Sequence, residues 1–307
     1  MNYDIKILNN YEGKGRIELN RMAFLSSHVK SIAQKALLLQ LYGYSKVSLP
    51  TKFQKYLNIF LMPTQHDGDN TLLTLDADNF SNLPVQLDAF RDKTDLNKLT
   101  PMALVIKTFT AALNDNEDKN LLDEPIIDEL IKFKKFFNND TESILLSNRQ
   151  SIPEIQFSIK EIDKIEALYK TIPTPQKTVI NGTIDEMKFS RKQLILITTD
   201  KQRVVILPQS DELLIEVKDF FGKEITLTGM AHFKPGGQLS YMKLESFTEP
   251  GKSDKFFSHK PNKMSVQQQI ALQIRDGKKR NPLDDIIGKW PGNETDEEFE
   301  LMLKSLN

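Results

Sequence analysis

Between residues 176 and 249 the apolar pattern switches from strand-like to helical and back, and this stretch limits the possible folds more than any other. Short β-branched and apolar segments predict strands over 178–187, 193–198 and 203–207, with a short turn at Asp200-Lys201-Gln202. A helical period follows over 211–220, and Gly222 stands where a helix would stop. Two more strands are predicted over 224–233 and 239–247, joined by the turn Pro235-Gly236-Gly237.

Strand-strand-strand-helix-strand-strand in about 70 residues is the order of the small five-stranded OB barrel. Another small barrel, or a sheet carrying one helix, has the same order. Pro173-Thr174-Pro175 breaks the chain just before this block, so a separate domain is expected over 1–173. Alternation at Tyr3, Ile5 and Ile7 predicts a first strand, and helices are predicted over 24–41, 101–113, 125–137 and 158–169. A hairpin is expected from 56–62 to 71–75, and short strands over 143–146 and 155–157. The expected class is therefore α+β: a mixed N-terminal domain (1–173), an OB-like barrel (176–249) and an extended C-terminal arm.

That arm is split by charge. Residues 252–281 hold eight basic side chains against two acidic ones, whereas 282–307 hold seven acidic against two basic. The first part reads as a basic flexible linker (250–281), in which Ser265 and Gln268 have capping-box spacing for a short helix over 265–275. The second (282–307) reads as an acidic amphipathic tail. Its only tryptophan, Trp290, lies in Gly288-Lys289-Trp290-Pro291-Gly292, and Thr295 and Glu298 repeat the capping-box spacing. Phe299, Met302, Leu303 and Leu306 then form one apolar stripe. So short a helix is marginal alone in water and needs a surface to lie on. The charged tether before it favours a partner's surface, where aromatic anchors and this spacing are used in helix-in-groove recognition.

Catalytic patterns are sparse. There is no cysteine, which excludes disulfides and thiolate chemistry. His28, His66, His232 and His259 are scattered without metal-ligand spacing. Asp67 and Asp69, with Asp76 and Asp78 nearby, lack the order of a calcium loop and suit a turn better. Glu12-Gly13-Lys14-Gly15 lacks the ending of a phosphate loop. The expectation is a protein that is not an enzyme and has neither cofactor nor metal. A net charge of −1 gives no global attraction to nucleic acid or membrane. With no secretory apolar core and no apolar run near the ~18 residues of a membrane span, a cytoplasmic location is expected.

The barrel offers an alternative role. Single strands are bound by cations along the backbone track and by aromatics that stack on bases. Lys188, Arg191, Lys192, Arg203 and Lys234, with Phe233 and Tyr241, are the residues that could do so. The simpler reading of the same residues is a solvated barrel rim with both aromatics in the core.

Residues 281–307 resemble the C-terminal tails of bacterial antitoxins paired with PIN-domain ribonucleases. The shared phrase is Ile287-Gly288-Lys289-Trp290-Pro291-Gly292, then Glu294-Thr295-Asp296-Glu297-Glu298-Phe299 and a short Leu-rich helix. Such antitoxins are usually much shorter and carry a small DNA-binding N-terminal domain, which this sequence lacks. The resemblance implies a protein partner, a ribonuclease whose carboxylates hold divalent metal. It also implies that Arg275 and Arg280 would meet those carboxylates, while Ile287, Trp290, Phe299, Met302, Leu303 and Leu306 anchor the arm. Residues 178–247 separately resemble a domain of uncharacterised bacterial proteins, through Gly182-Thr183-Ile184-Asp185 and the run from Gly222 to Gly237. That likeness implies no activity.

Overall fold

The computed structural model describes residues 1–62, 65–67, 70–83, 96–115, 119–148, 153–251, 254–265, 267–268 and 270–271. The chain divides into a body, Met1–Lys263, and a second unit, Met264–Asn307. The architecture is α+β with a closed five-stranded barrel. Among the described residues no helix is long and apolar enough to cross a membrane.

The body begins with β1 (Asn2–Leu8), the centre of an antiparallel sheet. Its alternation puts Tyr3, Ile5 and Ile7 into the core, as period two requires. Helix α1 (Leu19–Tyr42) follows, burying Leu25, Val29, Ile32, Ala36 and Leu37 at helical spacing. Glu18 caps its start by accepting from Arg21 N. Gly43, at φ 82°, ends it in the left-handed conformation, and its N–H donates to Leu39 O (2.8 Å).

A short α2 (Thr51–Gln54) leads to β2 (Phe60–Leu61), β3 (Gln65–Asp67) and β4 (Asn70–Asp76). Helices α3 (Pro101–Leu113) and α4 (Glu124–Lys132) come next, each with proline in its first turn and a cap, Thr100 or Asp123. Then come β5 (Ser143–Asn148), β6 (Ile155–Phe157) and α5 (Ile159–Tyr169), the last opened by a Ser158/Glu161 capping box. The sheet order is β2-β4-β1-β5-β6, with β3 also pairing to β4. Its buried residues and those of the helices form one core.

Two local expectations change. The strand expected over 56–62 shrinks to Phe60–Leu61, because Lys55–Leu57 form a 3-10 turn that buries Leu57. The helix expected to reach 137 ends at Lys132 and tightens into a 3-10 turn over Phe133–Phe136, burying both of those phenylalanines.

The barrel consists of β7 (Gln176–Lys188), β8 (Gln193–Ile197), β9 (Arg203–Pro208), α6 (Asp211–Val217), β10 (Glu224–Phe233) and β11 (Leu239–Thr248). It closes in the order β10-β11-β9-β8-β7, with β9 parallel to β11 and β7 antiparallel to β10, which fits an OB-like fold. Leu194, Leu196, Val204, Ile206, Leu227 and Met242 fill the interior, and Leu214 and Val217 of α6 pack against them.

The chain remains part of the body beyond the barrel, over residues where a linker was expected. Asp254–Phe257 form a 3-10 turn, and Ser258 is buried. Thr226 Oγ1 donates to Asp254 Oδ2 (2.7 Å), Asn181 Nδ2 to Thr226 Oγ1 (3.1 Å), and Ser258 Oγ to Asn181 Oδ1 (2.9 Å). Small polar residues bonded to buried partners fasten this segment. Its lysine-rich composition gives no hint of them.

Candidate functional site

The arm begins with the second unit. Ser265 and Gln268 form a reciprocal capping box: Ser265 N donates to Gln268 Oε1 (2.8 Å), and Gln268 N donates to Ser265 Oγ (3.2 Å). Gln267, Gln268, Ile270 and Ala271 are helical and exposed. The expected anchors and cations of the arm, Arg275, Arg280, Ile287, Trp290, Phe299, Met302, Leu303 and Leu306, lie outside the described residues.

The seven barrel residues are described, and every one is engaged within the body. Glu186 binds two of the cations, Lys188 Nζ at 2.6 Å and Arg203 Nη2 at 2.9 Å. Lys192 Nζ meets Asp211 at 2.7 Å. Arg191 lies over the Tyr42 ring, and Lys234 Nζ donates to Asn120 O (2.9 Å). Phe233 is buried in the barrel core. Tyr241 is buried on the opposite side of β11, its ring 5.8 Å from that of Tyr44.

These contacts follow from which face of the barrel is covered. In OB folds oligonucleotides bind on the face of the second and third strands, framed by the first and fourth connecting loops. The equivalent face here consists of Ile195 and Ile197 on β8 and Val205 and Leu207 on β9, beside Tyr241. Ile195, Val205 and Tyr241 are buried in the core of the N-terminal domain, and Ile197 and Leu207, partly buried, pack against it. The framing loops are fastened to that domain as well, through Arg191 to Tyr42 and Lys234 to Asn120. Tyr44 is buried in this interface, and burial pushes its phenol up to about 12.

His232 stacks on Tyr241 with ring centres 4.5 Å apart and lines a cleft with Tyr169, Glu124 and Lys46. Burial, reinforced by the charges of Lys243 and Lys46, holds its imidazole below the usual range.

Among the described residues no three His, Asp or Glu side chains converge so as to hold a metal ion. Asp76 instead pairs with the amino terminus (2.8 Å), and Asp69 lies outside the described residues. Lys201 and Lys260 line a cleft with Arg203 and Lys234, a grouping that sequence reasoning did not assemble. Their clustering requires the β8–β9 turn and the segment after β11 to meet, and no local spacing signals that. Comparison with known family models, curated proteins and solved structures finds no match to this chain.

Proposed function

We propose that this chain is a partner-binding protein of antitoxin type, whose C-terminal arm captures and neutralises a PIN-type ribonuclease. The observation that carries this reading is the division of the chain at Lys263, beyond which the arm forms a unit of its own and opens with a capped, exposed helical turn. Arg275 and Arg280 would meet the ribonuclease's carboxylates, and the forked guanidinium suits that task. Trp290, with Ile287 and the Phe299, Met302, Leu303 and Leu306 stripe, would fill an apolar groove.

Co-expression with a PIN-type ribonuclease encoded beside this chain tests the reading. The two proteins should purify together, with RNA cleavage suppressed. Trp290→Ala combined with Leu303→Asp should weaken the complex by at least about thirtyfold, the loss of one hot spot. Arg275→Ala with Arg280→Ala should leave capture largely intact and restore cleavage. The reading fails if the Trp290/Leu303 variant binds and suppresses like the wild type.

The alternative, single-strand binding by the barrel, draws less support. Its expected face packs on the N-terminal domain, and its expected cations are already engaged. Salt-sensitive binding of an oligonucleotide, weakened by Lys192→Ala with Arg203→Ala, would revive it.

A further inference from the structure

The β8–β9 turn and the β10–β11 loop border a cleft of about 350 Å³ beside Gly43, the C-cap of α1. Four side chains around it are cationic: Lys201, Arg203, Lys234 and Lys260. None of the described residues lining it is acidic, and Val205 and Leu239 give it an apolar wall.

Each cation is delivered by a defined piece of backbone. Lys201 sits at φ 59°, and its N–H donates to Thr198 O (2.9 Å), which fixes the turn. Arg203 is held by Glu186, and Lys234 by Asn120 O. Lys260 follows Ser258, the residue pinned to Asn181. A fifth cation is close by: the stem of Lys263 lies 2.8 Å from where a Cβ on Gly237 would stand.

Lys260 is the informative member. It is half-buried, and burial lowers its pKa against the weaker pull of Asp200. Among the described residues none accepts a hydrogen bond from its ammonium or pairs with it. Asp200 is otherwise occupied, accepting from Thr198 Oγ1 and lying 3.7 Å from His259. A desolvated cation without a bonded counter-charge is costly. An anion entering the cleft would remove that cost and add charge-assisted bonds.

We propose that this cleft binds the phosphate group of a small ligand, such as pyrophosphate or a nucleotide. Four cations around a cleft with no acidic lining residue among those described call for more than one negative charge. Lysines suit phosphate as point charges, and arginine adds its fork. A strand running across the barrel is disfavoured, because the β8–β9 face is packed against the N-terminal domain.

Calorimetry on the full chain at low salt, with pyrophosphate, ADP and a 5′-phosphorylated hexanucleotide as separate titrants, tests this. At least one should bind, and which one does identifies the source of the phosphate. Lys260→Met should weaken that binding at least tenfold while leaving the ligand-free melting temperature unchanged or higher, since a costly buried charge is gone. Lys192→Ala removes the same charge outside the cleft and should change affinity less than twofold. The proposal is overturned if none of the three titrants binds. It is equally overturned if Lys260→Met binds like the wild type, or if Lys192→Ala weakens binding as much as Lys260→Met does.

Discussion

The Arg191 guanidinium lies over the Tyr42 ring: its carbon is 3.8 Å from the ring centre, and Nη2 donates to the phenol oxygen at 2.7 Å. The pair is 149 residues apart in sequence and ties the β7–β8 loop to the last turn of α1. A cation over a partly desolvated ring and a charge-assisted bond each contribute on the order of 1 kcal/mol. Arg191→Ala should therefore cost about 1–2 kcal/mol in urea unfolding, and Tyr42→Phe less, because the ring remains. A double-mutant cycle should return a coupling of about 1 kcal/mol. Strict additivity would mean that the contact carries no energy.

How far the sequence reveals this body depends on the scale of the contact. Local signals succeeded: alternation in β1, the Ser158/Glu161 and Ser265/Gln268 boxes, and proline in the first turns of α3 and α4 all stand in the structure. The covered barrel face was missed, although a signal for it existed. Leu194 to Ile197 and Val204 to Leu207 are unbroken apolar runs, whereas a barrel strand with a wet outer side would alternate. Such runs mean that both faces are buried. Leu194, Leu196, Val204 and Ile206 point into the barrel, Ile195 and Val205 into the neighbouring core, and Ile197 and Leu207 pack against that core. The cationic cleft had no such signal. Lys201 and Lys260 line one cleft because the segment after β11 is fastened to the neighbouring strands β7 and β10 through Asn181, Thr226, Asp254 and Ser258, and pairings between distant small polar residues leave no periodic trace.

Arg21 and Glu142 form a buried ion pair (2.8 Å) whose remaining atoms are also engaged. Arg21 Nε donates to Phe136 O (2.9 Å) and Nη1 to Asn10 Oδ1 (3.1 Å). Glu142 accepts from Tyr11 N (2.7 Å) and Asn138 N (2.8 Å). Breaking such a pair from one side strands a charge, at a cost of about 3–5 kcal/mol. Glu142→Ala should destabilise by that much in chemical denaturation. Arg21→Met with Glu142→Leu should cost less than Glu142→Ala alone, because no charge is left behind. A double variant worse than the single one would show that the network matters for more than charge.

Gly229 lies at a register shift between β10 and β11, where a Cβ would stand 1.9 Å from Lys243 O. Backbone sits in the way, so no rotamer change relieves the clash, and the barrel must open locally. Gly229→Ala should cost about 1–3 kcal/mol or more by overpacking. Gly222→Ala is the control, with φ 73° but nothing within 4 Å of where its Cβ would stand, and should cost only about 1 kcal/mol of backbone strain. Thermal melts of the two variants check the ranking, and equal losses would remove the steric explanation.

Glu186 sits at a bulge in β7, between Lys188 and Arg203. Burial pushes its carboxyl upward, but hydrogen bonds and charges from those two cations outweigh that and hold it below the usual 4.5. The unfolded chain therefore takes up this proton at a higher pH than the folded one does. Stability from the carboxylate is full above the unfolded value and is lost as pH falls through the folded one. The side chain is partly exposed, so the effect is about 1 kcal/mol or less. In denaturant unfolding from pH 7 to pH 3, wild type should exceed Glu186→Gln at neutral pH, and the gap should close below about pH 4.5. A gap that stays constant, or widens in acid, would show that Glu186 acts through packing or hydrogen bonding rather than charge.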